Sequence, residues 1–213
     1  MHIEKIQSPA DLRALDDDQL LELCEEIREF LVDAVSRTGG HLGSNLGAVE
    51  LTIAVHRIFE SPRDAIVWDT GHQAYVHKIL TGRAAEFDTL RQRHGLSGYP
   101  NPAESEHDLL ENSHASASLS WASGLATGFE LTDHQHRRVV AIIGDGSMTG
   151  GMAFEALNNL GHYGQRAVII LNDNGRSYAP TVSRLATVMS RLRQSPNYLK
   201  GRQAVTNILD RLP

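Results

Sequence analysis

The sequence predicts an α/β domain built on a mainly parallel sheet flanked by helices. Three short apolar runs carry that expectation: Ala65-Ile66-Val67-Trp68, Val139-Val140-Ala141-Ile142-Ile143 and Ala167-Val168-Ile169-Ile170-Leu171. Each has strand length, and the last two suit strands buried on both faces. Elsewhere apolar residues recur at three- and four-residue steps, the period of a helix with one buried face. Strands alternating with helices form parallel sheets, whose ligands collect at the carboxyl ends of the strands.

The first helix is marked by Leu20, Leu23, Ile27, Phe30, Leu31 and Val35. The preceding acidic cluster Asp16-Asp17-Asp18 can cap its N-terminus, and Gly39-Gly40 ends it. A second helix is expected over about 45–59, before Pro62 breaks the chain. From 91 to 108, Gly95, Gly98, Pro100 and Pro102 interrupt any periodicity and predict a long loop, a class of segment that is often functional. Small residues follow, from Ala115-Ser116-Ala117-Ser118 through Gly124, Ala126 and Gly128, and predict a helix packed closely on the sheet. The helix between the last two strands is expected to place Phe154, Leu157 and Leu160 on one side. No internal repeat is present. Beyond Pro180 a looser helical spacing at Val182, Leu185, Val188 and Leu192 runs to Pro196 and reads as an appendage or connector.

A chain of 213 residues with 41% hydrophobic residues can bury a sizeable core. Its net charge of −6 and pI of ≈ 6.0 argue against nucleic acid as a partner, because binding a phosphate backbone needs clustered Lys and Arg. No run approaches the roughly 18 apolar residues of a membrane span. Met1 to Pro9 carry charges where a signal peptide needs an apolar stretch, so a cytoplasmic protein is expected. Cys24, the single cysteine, lies on the apolar face of the first helix and is expected to be a buried structural thiol.

Chemistry concentrates at the strand ends. After the run 139–143 the chain reads Gly144-Asp145-Gly146-Ser147-Met148-Thr149-Gly150-Gly151, and after 167–171 it reads Asn172-Asp173-Asn174-Gly175-Arg176. A Gly-rich turn feeding a helix offers backbone N–H groups and the positive end of the helix dipole to a phosphate. Asp145 would repel that phosphate unless a cation lay between them, which points to Mg²⁺ bridging protein and diphosphate. Asn174 could add a neutral oxygen ligand. Taken singly, Asp145-Gly146 and Asn174-Gly175 are equally the marks of ordinary turns. A dinucleotide site fits less well, because Gly144-x-Gly146-x-x-x-Gly150 misses the G-x-G-x-x-G spacing and holds an acid inside the turn. Among the eleven histidines, His2, His56, His107, His134, His136 and His162 fall in polar or helix-surface contexts and are expected to be solvated. His41 and His72 each follow a glycine, and His72 lies just past a strand end, where residues line the ligand crevice.

GDG, an intervening helix and strand, then NDN resembles the signature of thiamine diphosphate enzymes. Further segments resemble the 1-deoxy-D-xylulose-5-phosphate synthase family more than the transketolases. These are Gly40-His41-Leu42-Gly43-Ser44-Asn45-Leu46-Gly47, Trp68-Asp69-Thr70-Gly71-His72-Gln73-Ala74-Tyr75, Glu104-Ser105-Glu106-His107-Asp108, Ser113-His114-Ala115-Ser116 and Gly150-Gly151-Met152-Ala153-Phe154. The resemblance spans roughly 9–179. It implies a thiamine diphosphate-binding fold over 1–180, with a helical appendage or connector at 181–213. It also implies condensation of pyruvate with D-glyceraldehyde 3-phosphate with loss of CO₂, for isoprenoid, thiamine and pyridoxal precursor synthesis, by a homodimer using thiamine diphosphate and Mg²⁺.

Carried over residue by residue, the resemblance assigns Asp145, the Asn174 side chain and the Arg176 carbonyl to the metal. Gly146 and Ser147 would donate N–H groups to the diphosphate. Asn174, Ser113, His114, Ala115 and His72 would contact the cofactor, and His41 and His72 would move protons and bind substrate oxygens. Many relatives carry Met at the position of Arg176, a change that a main-chain oxygen ligand tolerates. Family members continue through a pyrimidine-binding domain, whose glutamate activates the cofactor, and then a third domain. Neither is found in these residues, so the chain alone is expected to be inactive. Two alternatives stand beside this reading: a non-catalytic module that binds diphosphate and Mg²⁺ or mediates assembly, and a transketolase-like ketol transfer.

Overall fold

The computed structural model describes residues 2–111, 113–173, 191, 195 and 196. The chain forms two compact units, Met1–Asn174 and Gly175–Pro213. Only the first is described below. The expected ligands Asn174 and Arg176, and the helical pattern beyond Pro180, lie outside the described residues.

Among the described residues the first unit holds three strands, β1 (Ala65–Trp68), β2 (Val139–Gly144) and β3 (Ala167–Asn172), in the order β1-β2-β3 and all parallel. The register aligns Ala65, Val139 and Ala167, so the three carboxyl ends open on the same edge. The helices are α1 (Asp17–Thr38), α2 (Leu42–Leu46), α3 (Val49–Ile58), α4 (Tyr75–Lys78), α5 (Ser118–Leu131) and α6 (Gly151–Tyr163). Both the α/β architecture and the parallel sheet agree with expectation.

Local chemistry sets the helix ends. Asp16 accepts the Gln19 N–H at 2.9 Å, and the Gln19 side chain accepts the Asp16 N–H at 3.0 Å. This capping box stabilises the start of α1 by about 1 kcal/mol. Gly39, at φ 75, closes α1 with its N–H on the Val35 carbonyl. One core joins Leu23, Ile27 and Leu31 of α1 to Val49, Ile53, Tyr75, Val76 and Phe87, and a second joins Ile66, Trp68, Val140 and Ile142 of the sheet to Val55 and Ala74. Each fully buried leucine contributes about 1.5–3 kcal/mol. Cys24 is buried in the first core, as expected.

Four expectations require correction. The helix expected over 45–59 is two helices, α2 and α3, and the break at Gly47 and Ala48 leaves Asn45 fully buried. β3 is not buried on both faces: Val168 is 41% and Leu171 45% exposed, because among the described residues β3 has a neighbour only on the β2 side. On α6 the buried face is Ala153, Ala156 and Leu160, whereas Phe154 and Leu157 are partly exposed. Alanines allow close backbone approach, so Ala153 and Ala156, together with Leu160, mark the packed side. Finally, His56 is fully buried instead of solvated, and His107 is half-buried against Ser61.

Candidate active site

Asp69 follows the last residue of β1, and its carboxylate is fully buried. It accepts the backbone N–H groups of Ser116 at 2.9 Å and Ser118 at 3.0 Å, and the Thr70 hydroxyl at 3.2 Å. An ionised carboxylate is acceptor-only, and these donors satisfy it without a neighbouring cation. They also anchor the segment before α5 to the strand edge. Thr70 and Gly71 both take positive φ, 59 and 77, which bends the chain sharply out of the sheet.

That bend delivers His72 to His41, the residue before α2. The two rings meet edge to face with centroids 5.3 Å apart. Burial lowers both imidazole pKa values. Arg91 adds to the effect at His41; at His72, His41 adds to it and Asp69 opposes it. Both rings are therefore neutral near pH 7, each with one donor and one acceptor nitrogen. Nδ1 of His72 is buried without a partner among the described residues, a state that a bound polar group or water would resolve.

The turn after β2 closes against the same bend. Thr70 Oγ1 lies 3.4 Å from Ser147 Oγ, and Ser116 Oγ donates to the Ser147 carbonyl at 2.6 Å. Ser116 fills the space beside Gly150, where a Cβ would stand 2.0 Å from its hydroxyl, so the turn admits only glycine there. Asp145 follows Gly144, which pairs with Asn172 of β3, and its own N–H bonds the Asn172 carbonyl at 3.3 Å. The Asn172 amide in turn donates to Gln73 at 2.9 Å, tying β3 back to the β1 bend.

Asp145 is 9% exposed, a hard-oxygen donor beside a glycine cradle, and this fits a magnesium–diphosphate group. Ser113 and His114 are exposed and, with Tyr99 and Glu111, line a cavity of ≈ 260 Å³. The structure thus brings His41 and His72 together and ties Ser147, which follows Asp145 and Gly146 in the same turn, to Thr70 and Ser116, whereas Ser113 and His114 line the separate cavity and Ala115 is exposed. Sequence reasoning gave no role to Asp69, Asn45, Ser116 or Gln73. The strand-end rule that selected His72 could have selected Asp69; nothing in the sequence marks Asn45 as buried.

A second polar cluster lies outside that edge. Asp108 accepts from His77 Nε2 at 2.9 Å, from Arg83 at 2.6 and 2.9 Å, and from the Asn101 N–H at 2.7 Å. Glu104 accepts the Ser97 N–H at 2.6 Å and pairs with Lys78, which is fully buried. Since Asp108 only accepts, His77 donates from Nε2, and its Nδ1 accepts from His56 Nε2 at 2.9 Å. His56 is therefore buried as the end of a hydrogen-bonded chain whose other members lie far away in sequence. Two cations and two carboxylates close the charge balance, and together they pin the 97–108 loop to α4 and the Ile79–Arg83 segment.

The family model for 1-deoxy-D-xylulose-5-phosphate synthase matches residues 3–213. The chain is similar to proteins of that name from Corynebacterium jeikeium (strain K411), 60% identical over 99% of this chain and 34% of the relative, and from Mycobacterium avium (strain 104), 58% identical over 99% and 33%. The relative from Saccharopolyspora erythraea is 59% identical over 99% of this chain and 33% of its own length. The chain spans about a third of the length of the curated relatives it matches. Matched by that model from residue 3 to residue 213, and more than half identical to these relatives along nearly its whole length, the chain belongs to the 1-deoxy-D-xylulose-5-phosphate synthase family.

Proposed function

We propose that this chain is the diphosphate- and metal-binding part of an enzyme that condenses pyruvate with D-glyceraldehyde 3-phosphate, releasing CO₂. Its product would feed isoprenoid, thiamine and pyridoxal precursor synthesis in the cytoplasm, and the complete enzyme would be a homodimer. The observation that supports this most is the convergence of the His41, His72, Ser116 and Asp145–Ser147 segments on the carboxyl edge of one parallel sheet.

In this reading Asp145, the Asn174 side chain and the Arg176 carbonyl hold Mg²⁺, and the Gly146 and Ser147 N–H groups bind the diphosphate. When bound, thiamine diphosphate supplies the electron sink for decarboxylation. Ser113, His114 and Ala115 orient the cofactor from the segment that Asp69 anchors. His41 and His72, both neutral near pH 7, accept or donate a proton at substrate oxygens, a role that suits imidazoles poised near working pH. Ring nitrogens held at a fixed separation can serve two oxygens of one substrate.

The test is turnover by this chain supplemented with the remaining two thirds of a relative's chain, given pyruvate and D-glyceraldehyde 3-phosphate or, separately, ketose phosphates. CO₂ release with the first pair supports the synthase; transfer from ketose phosphates alone overturns it in favour of transketolase-like chemistry.

A further inference from the structure

We infer that Asn45 is a positioning residue that fixes the spacing of His41 and His72. Asn45 is fully buried, and its Nδ2 donates to the His41 carbonyl at 2.6 Å and to the His72 carbonyl at 2.8 Å. Its Oδ1 accepts the Tyr75 N–H at 2.9 Å, so one carboxamide joins α2, the β1 bend and the start of α4. The two carbonyl dipoles converge on the same point and repel one another unless a donor lies between them. A primary amide offers two N–H bonds from a single atom and reconciles them.

Tyr75 closes the other side. Its hydroxyl accepts the His41 N–H at 3.4 Å and sits where a Cβ on Gly40, at φ 145, would lie 2.7 Å away. His41 is thus held by both its carbonyl and its N–H, while His72 is held by its carbonyl. The ring separation of 5.3 Å follows from these backbone tethers, because no hydrogen bond joins the two rings themselves among the described residues. The charged groups that influence the pair are Arg91 at His41 and Asp69 at His72.

The functional value of the spacing rests on the proposed proton-handling role of the two histidines, but the spacing can be tested without turnover. The readout is the ¹⁵N imidazole NMR titration of His72 in the 213-residue chain, with and without His41→Gln. In the parent, His41→Gln raises the His72 midpoint, since a neighbouring imidazolium is removed. With Asn45→Ala that response is lost, because the rings are no longer held together. Thr52→Val, which removes a different buried side-chain-to-carbonyl bond, from the Thr52 hydroxyl on α3, preserves it. Asn45→Ser, able to serve one carbonyl, gives an intermediate response and serves as the test if Asn45→Ala does not fold. An undiminished response in the Asn45 variants, or equal loss in Thr52→Val, overturns the proposal. Loss of the response with full turnover in the supplemented enzyme upholds the positioning and overturns the proton-transfer roles instead.

Discussion

The carboxylate of Asp69 accepts the backbone N–H of Ser116 at 2.9 Å, across 47 positions of the chain. Ser116 has φ 72, a left-handed conformation that costs a non-glycine residue about 1 kcal/mol or more. It is retained because the residue is tied twice, by its N–H to Asp69 and by its hydroxyl to the Ser147 carbonyl. The strand end therefore positions the GDGS turn through Ser116, beside the direct contact of the Thr70 and Ser147 hydroxyls.

Asp69→Asn keeps the shape but leaves one oxygen to serve two N–H groups. The stranded donor costs about 1–3 kcal/mol, read as a lower urea midpoint. Thiamine diphosphate affinity should fall with it, because the 113–115 segment loses its anchor. Unchanged stability would mean that water replaces the carboxylate.

Cofactor binding should require Mg²⁺ and should be abolished by Asp145→Ala, which removes the only charged protein ligand proposed for the ion. Titration calorimetry on the supplemented enzyme, with and without a chelator, measures this. Asn174→Ala should weaken the Mg²⁺ dependence strongly, and Arg176→Met should leave it nearly intact. Equal losses in both would point to the guanidinium contacting the diphosphate directly.

Much of this was legible in the sequence because it is local. The three strands, the acidic cap of α1 and the strand-end turns follow from runs and spacings within a few residues. What escaped is non-local. His56 reads as a helix-surface histidine until His77 and Asp108 arrive from other segments to receive it. Asn45 reads as the opening residue of the second helix until two carbonyls from separate turns converge on it. Apolar size misjudged α6 because close packing was achieved by alanines, leaving Phe154 and Leu157 outside.

Asp108→Asn should be severe. It removes the charge that compensates Arg83 and leaves two buried cations, Lys78 and Arg83, with Glu104 alone. Breaking one side of such a buried pair costs about 3–5 kcal/mol. Chemical denaturation measures the loss, and loss of protection from proteolysis across the 97–108 loop would locate it.

Stability should fall in two steps as pH drops. Burial lowers the pKa of His41, His56, His72 and His77, so the unfolded chain takes up protons near the ordinary value of 6.5 while the folded chain does not. Stability is full above that pH and declines below it. Burial pushes the Asp108 carboxyl up, but the hydrogen bonds from His77 and Arg83 outweigh it and hold the pKa well below the usual range. The second decline therefore begins near 3.8, as the unfolded carboxylate protonates first. His56→Gln, whose amide can still donate to His77, should shrink the first step. Thermal midpoints from pH 8 to 3 provide the check, and a flat profile between 8 and 5 would contradict the buried neutral histidines.

Residues 1–213 alone should form no 1-deoxy-D-xylulose 5-phosphate, even with saturating Mg²⁺ and thiamine diphosphate. The edge described here offers carboxylate, backbone and imidazole groups to the diphosphate and substrate, and the resemblance assigns cofactor activation to a glutamate in another domain. Lacking one such acid–base contribution costs about 10²–10⁴-fold in rate. Lacking the pocket that orients the pyrimidine removes positioning as well, and the two losses together should take turnover below detection. The partly exposed Phe154, Leu157, Val168 and Leu171 should also favour self-association of the isolated chain, visible by sedimentation. Product should appear when the remaining part of a synthase is added in trans. Turnover by the isolated chain would show that the imidazole pair and the Asp145 turn suffice, and the proposed division of labour would have to be abandoned.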